Sequence, residues 1–250
     1  MHRTVTLLLL LMATLGATAQ EIDPADLEGR IEYAYFTADA NALRNLVGTM
    51  QNAVAKGEGN ALADYQRGLA QYRLGQVLAA ASDGAAATAF TNCTDSLSRA
   101  IDADKRSAEA YALQAACYDS LGAVKGWKAV VDVPLGTSRL EKAVKLAPAN
   151  PRVVLIDALY DYERSRASGS DRQQACAKFA RAAKLFETTS ETAPRVPSWG
   201  GADAYLYVGR CLREGGDVLG ARNALERALI IAPDFAAARQ ELRNVVAPKS

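Results

Sequence analysis

Apolar and small residues return at helical intervals along most of the chain. Near the C-terminus Ala221, Leu225, Ala228 and Leu229 stand at i, i+4, i+7 and i+8, which is one face of a helix. Gly215-Gly216 and Pro233 punctuate its two ends. Ahead of it, Ala202-Asp203-Ala204-Tyr205-Leu206-Tyr207-Val208-Gly209 reads as a second helix, so this stretch is predicted to be two helices joined by a turn. Gly209 and Ala221 are predicted to face each other across that turn, because larger side chains there would push the two backbones apart. The theme recurs as the pairs Arg99-Ala100, Lys142-Ala143, Arg181-Ala182 and Arg227-Ala228, at spacings of 43, 39 and 46 residues. Ala147-Pro148-Ala149-Asn150-Pro151 repeats the ending Ala232-Pro233-Asp234-Phe235 and marks where one unit stops and the next begins. An earlier unit is predicted from Tyr65, Gly68, Tyr72 and Gly75 to Ala100, with the largest insertion. Lys125-Gly126-Trp127-Lys128 through Pro134-Leu135-Gly136, and Ser168-Gly169-Ser170-Asp171, read as extensions of turns. Residues 23–56 read as one or two amphipathic helices capping the array, and Asp234 to Val246 as its closing helix.

The N-terminus follows a different pattern. His2-Arg3 precede an apolar run, Leu7 to Met12, and then Ala17-Thr18-Ala19, with small residues at both positions read by a signal peptidase. A secretory signal over residues 1–19 is expected, since Val5 to Leu15 is far shorter than the ~20 apolar residues that span a bilayer. The first cysteine is Cys93, far from the cut, which argues against a lipid-anchored product. No later stretch is long and apolar enough to span a membrane, so a soluble periplasmic or secreted chain is expected.

Composition narrows the chemistry. With 50% hydrophobic and 23% charged residues in 250, the chain has the balance of one that buries a core. Its net charge is +1, and losing Arg3 with the signal leaves none, so there is no basic field for nucleic acid. The single histidine is His2, inside the expected signal. The rest of the chain therefore has no triad, no Cys-His pair, no zinc ligand histidine and no imidazole acid or base. Glu28/Glu32 and Asp102/Asp104 fall on polar helix faces and in turns, where solvated charge is the expected state rather than catalysis. Asp83-Gly84, Gly57-Glu58-Gly59 and Gly215-Gly216 are turn chemistry, and none continues into a phosphate loop with its lysine. No calcium-loop spacing occurs, and no cofactor is expected.

The repeating unit resembles the tetratricopeptide repeat, with Tyr205 in the aromatic slot, Val208-Gly209 for Leu-Gly, then Ala221, Leu225, Ala228 and a closing Pro233. Leu212 stands where the family prefers Tyr. All the spacings exceed the family period of about 34 residues, which requires insertions or longer helices. Pro148 to Leu242, with Pro197-Ser198-Trp199-Gly200 before the last unit, is similar to exported bacterial tetratricopeptide proteins of undefined role. That likeness makes Trp199 a helix-entry packing residue and Ser198 a candidate N-cap. It implies an all-α superhelical solenoid of three to four helix-turn-helix units. Residues 20–58 would form the N-terminal cap and residues 59–250 the repeat domain.

In this family the first helices of successive units line a concave groove. The inward slots carried onto this chain are Tyr65, Leu69, Tyr72 and Arg73, then Glu109, Ala112, Ala116 and Asp119. Arg152, Leu155, Leu159 and Tyr162 follow, and then Asp203, Leu206, Arg210 and Arg213. The alternative for the Leu and Tyr positions is packing within the repeat. The clamp by which some relatives hold a terminal carboxylate is absent, so an extended or helical peptide segment is the expected guest. Cys93 and Cys176 each start a second helix of a unit, while Cys117 and Cys211 lie in the later half of the following first helix. In a helical stack these positions share one end, which suggests Cys93–Cys117 and Cys176–Cys211 pairing in an oxidising compartment. Four small buried thiols is the alternative. The expectation is a non-enzymatic scaffold that binds an envelope protein or peptide through its groove. The second reading is a small-molecule-binding accessory protein, its pocket closed by the segment from Trp127 to Gly136.

Overall fold

The computed structural model describes residues 23–55, 60–126, 132–168, 172–189 and 197–246. The expected signal, the Gly57–Gly59 turn, Trp127 and Gly169–Asp171 lie outside these residues. Eleven helices are described, in the order α1 (Pro24–Phe36), α2 (Ala40–Ala55), α3 (Ala61–Ala80), α4 (Ala86–Ala103), α5 (Ala108–Lys125) and α6 (Asp132–Leu146). They continue as α7 (Pro151–Ser168), α8 (Arg172–Thr188), α9 (Gly201–Glu214), α10 (Val218–Ile231) and α11 (Ala236–Val246). There is no strand among the described residues.

Short polar side chains start most of these helices by accepting hydrogen bonds from first-turn amides that have no intrahelical partner. Asp23 accepts from Ala25, Asn60 from Ala63, Ser107 from Ala110, Asn150 from Arg152 and Asp217 from Gly220. Asp39 does the same at the entry of α2, accepting from Ala42, while α4 begins without a side-chain cap. Ser198 does not cap α9. Gly200 occupies that position with φ 105°, where a side chain is strained, and a Cβ there would also stand 2.8 Å from the Phe186 ring.

Helices pair as α3/α4, α5/α6, α7/α8 and α9/α10, each an antiparallel hairpin stacked on the next. The pairs touch where side chains are missing. A Cβ on Gly68 would lie 2.6 Å from Leu97 Cγ, and one on Gly75 would lie 2.5 Å from the Phe90 ring. A Cβ on Gly209 would meet Leu225 Cγ at 2.7 Å and the Ala221 carbonyl oxygen at 3.3 Å, which is the close approach anticipated across that turn. Gly209→Val should therefore cost about 2–3 kcal/mol through overpacking, read as a lower midpoint of urea unfolding.

The unit from Tyr65 to Ala100 needs no large insertion: α3 and α4 are 20 and 18 residues long, joined by a short turn at Asp83-Gly84. Pro134-Leu135-Gly136 is helical rather than a turn, lying in the first turns of α6, where proline is tolerated because the amide it lacks has no partner.

The cysteines join neighbouring pairs. Cys93 on α4 and Cys117 on α5 lie at disulfide distance, with Cα atoms 6.2 Å apart, and Cys176 on α8 and Cys211 on α9 likewise at 5.7 Å. A non-reducing peptide map is expected to recover those two pairs from oxidised protein. Replacing either pair by serine should cost about 3–4 kcal/mol, given sequence separations of 24 and 35 residues.

One helix face breaks the solenoid pattern. In α3 every residue from Asp64 to Gly75 is buried, whereas a repeat helix lining an open groove would keep one stripe exposed. Helix α4 covers one side of α3, and α1 together with α9 covers the other.

Candidate functional site on the concave side

Most of the residues predicted to line a groove are buried rather than exposed. Arg73, on α3, is 1% exposed. Its Nε and Nη2 donate to the two carboxylate oxygens of Glu32 on α1, each at 2.8 Å. Its Nη2 and Nη1 also donate to Asp203 on α9 at 2.8 and 3.2 Å, and Nη1 reaches Gln76 at 3.0 Å. The Tyr35 hydroxyl donates to the same Asp203 at 3.0 Å, and its ring lies 3.9 Å beneath the guanidinium. The first and last units of the array thus meet directly, 130 residues apart in sequence, with α1 clasped beside the contact.

Glu28 and Glu32 are therefore not solvated helix-face charges, as their sequence context suggested: both are buried. A carboxylate carried into an apolar interior needs a partner, and each has one on another element. Glu28 accepts from the backbone amide and hydroxyl of Ser198, which is the work Ser198 does in place of capping. Burial raises Glu32 above the ordinary carboxylate range, with Arg73 pulling against it and the nearby Asp203 and Glu28 adding to it. Asp102 and Asp104 are exposed, as expected of turn charge.

Trp199 closes this end. Its Nε1 donates to the Tyr65 hydroxyl at 2.7 Å, and its ring lies 5.4 Å from the Arg73 guanidinium and 5.9 Å from that of Arg152. Arg152 in turn donates to Glu109 at 3.2 Å. Tyr35, Phe36 and Phe235 cluster with ring centroids 4.7 to 5.5 Å apart, fastening α1 to the entry of α11. Leu69, Leu155 and Leu206 are buried in the same interior, and Tyr162 is buried on the Phe179 ring with its hydroxyl donating to Glu214.

The opposite end of the inner side is open. A cavity of about 450 Å³ is lined by the C-terminal halves of α3, α5 and α7 together with α9 and Phe90 of α4. Tyr72, Ala116, Asp119, Leu159 and Arg210 reach it from among the anticipated groove positions. Arg210 donates to Glu241 on α11 at 2.8 Å and lies over the Tyr207 ring, while Arg213 is more exposed and pairs with the same Glu241. Charge reversal at these two arginines would therefore disturb the docking of α11 and report poorly on the cavity. Asp119 is pushed up to about 6 by its burial and then by the Glu163 carboxylate, against the pull of Arg164.

Tyr160, Glu163 and Tyr207 also line the cavity and were not singled out from the sequence. Ile156, Leu159, Tyr160 and Glu163 follow one helical stripe on α7, so extending the Leu155/Leu159 pattern by one turn marks them. Among the described residues no three His, Cys, Asp or Glu side chains gather as a metal site, and no helix is long and apolar enough to cross a membrane.

No protein-family model matches the sequence, and neither does any curated protein. Among solved structures the chain is similar to TTC0263, a thermophilic TPR protein of Thermus thermophilus. The two share 14% identity, with 89% of this chain and 97% of that one aligned at a TM-score of 0.58. A second similarity, to the APC/C hetero-tetramer Cut9-Hcn1, has 13% identity over 92% of this chain and 50% of that one. Its TM-score is 0.25, and it carries no argument. The helix-pair stack, its small-residue crossings and the alignment with TTC0263 together give this chain the fold of the tetratricopeptide-repeat proteins.

Proposed function

We propose that the chain is a non-enzymatic helical-repeat scaffold that takes a segment of another polypeptide in the open cavity of its inner side. The observation that carries this reading is the partition of the concave side. One end is filled by α1 and Trp199, and the other is an aromatic-walled opening built from four successive units. Repeat arrays present curved inner surfaces to extended or helical segments, and Tyr72, Phe90, Tyr160 and Tyr207 supply the rigid apolar contact such segments need. Export supports the same reading: two cysteine pairs at disulfide distance suit the periplasm or the exterior, where a signal over residues 1–19 would send the chain. The partner is then an envelope protein or peptide.

The test is a photo-crosslinking residue at position 124, on the cavity rim where Val124 is 41% exposed, with a control at position 222 on the outer side of α10. The expected result is a polypeptide adduct at 124, competed by unmodified chain and not seen at 222. Equal adducts at both positions would overturn the reading.

The cavity volume also lies within the range of small-ligand pockets, which keeps a solute-binding accessory role as the second reading. A rise in melting temperature with a metabolite, together with no adduct at 124, favours it.

A further inference from the structure

We infer that the cavity recognises a cationic side chain, the lysine or arginine of a polypeptide partner, with Asp119 as the counter-charge and Tyr72, Tyr160 and Tyr207 as the walls. This rests on the proposed reading of the cavity as a polypeptide-binding site.

Two independent features of the opening point this way. The first is an anion without donors. Asp119, on α5, is half-buried yet accepts no hydrogen bond among the described residues, whereas Asp64, Glu109, Asp203 and Glu241 each have a donor from another helix or its entry. A carboxylate drawn partly out of water without donors is costly in the empty site and gains most from a cation that brings them. The second is the wall. The three tyrosines border the opening, and guanidinium groups already settle on tyrosine rings in this protein: Arg73 on Tyr35 at 3.9 Å, Arg172 on Tyr162 at 4.3 Å and Arg210 on Tyr207 at 4.9 Å.

The charges already present do not complete the site. Asp119 is faced by Glu163 and Arg164 of α7, by Tyr72 of α3 and by Tyr207 and Arg210 of α9. Glu163 is a second carboxylate beside it. Arg210 is held by Glu241 and the Tyr207 ring, and Arg164 lies over Tyr160 from the exposed side of α7. Of the charged residues in the lining, Arg210 is already paired with Glu241 on α11, and no donor reaches Asp119 among the described residues. An aliphatic stem along Ala79, Ala116 and Leu159 with a charged head at Asp119 matches this lining, whereas a partner's carboxylate would be repelled.

The carboxylate is ionised above about pH 6 and protonated below it, so cation binding weakens as pH falls through that value. The experiment uses fluorescein-tagged Ala-Leu-Xaa-Leu-Ala amides with Xaa as Lys, Arg, norleucine or Glu, titrated by anisotropy into oxidised chain 20–250. Lys and Arg peptides are expected to bind about tenfold tighter than norleucine at pH 8, with Glu weakest, and the advantage is expected to vanish at pH 5. Asp119→Asn should abolish the preference while leaving the melting temperature unchanged or higher, since it removes a half-buried charge. Asp119→Leu gives the same readout without a polar group.

Equal binding of Lys and norleucine peptides alongside a competed adduct at position 124 overturns the cation inference and leaves the scaffold reading standing. No peptide binding and no adduct at 124 overturns both. Tighter binding of free 1,5-diaminopentane than of any peptide overturns the polypeptide source in favour of a small amine.

Discussion

Arg73→Met should lower stability by about 3–5 kcal/mol, because it leaves Glu32 and Asp203 buried without their shared cation. For a repeat domain of this size that is a fall of about 10 °C or more in melting temperature. The loss arises from stranded charge rather than from a missing bond. Arg73→Lys should recover little, since an ammonium cannot hold both carboxylates in the two-pronged geometry that the guanidinium provides. Arg73→Met combined with Glu32→Gln and Asp203→Asn should recover a large part, the neutral amides being cheaper to leave buried. The pH dependence has a definite sign. Burial already raises Glu32 above its unfolded value, so the folded chain binds that proton more tightly than the unfolded one and stability falls as pH rises through that window. Without Arg73 the Glu32 carboxyl is raised further, and the deficit of the variant should be largest at alkaline pH and shrink on acidification. A variant deficit that grows toward acid pH would contradict this account of the cluster.

The second large effect is at Trp199. The side chain is 3% exposed, it donates to Tyr65, and it stands between two guanidinium groups belonging to different units. Trp199→Ala should cost about 3–5 kcal/mol, combining the lost apolar burial with an unfilled cavity. Trp199→Phe keeps most of the area and leaves the Tyr65 hydroxyl without its donor, so about 1–2 kcal/mol is expected. Urea unfolding of the two variants separates these contributions. Equal costs would mean that the hydrogen bond to Tyr65, rather than the volume of the indole, dominates at this position.

The helical hairpins were legible because their signal is local. The stripe Ala221, Leu225, Ala228 and the small residue at Gly209 encode one helix crossing within a couple of dozen residues, and in the structure that crossing is close enough to leave a Cβ on Gly209 only 2.7 Å from Leu225. The register of the units likewise brought Cys93 near Cys117 and Cys176 near Cys211 on adjacent helices. What was hidden is carried by pairs that no local period reports. Arg73 and Asp203 both sat among the inward slots, yet nothing in either segment says that they bond to each other across 130 residues. Glu28 and Glu32 show the same limit from the other side. An acidic i, i+4 pair on a capping helix has the pattern of a solvated face, and only the partners Ser198 and Arg73, far along the chain, make it a buried one. Pro134 was read as a turn because proline breaks helix interiors, but a first-turn position removes that objection. The cavity was half visible: the slots Tyr72, Asp119, Leu159 and Arg210 reach it, while Tyr160 and Glu163 lie one helical step beyond the positions carried over.

If α1 fills one end of the concave side, binding is confined to the other. Amide hydrogen exchange of α1 tests this most directly, measured on oxidised chain 20–250 without a partner. The amides from Leu27 to Phe36 are expected to exchange nearly as slowly as those of α3, since their opening requires breaking the Arg73 cluster. Exchange of that segment within seconds, while α3 stays protected, would mean that α1 is a loosely held cap, that the groove is open along its length, and that the account is wrong.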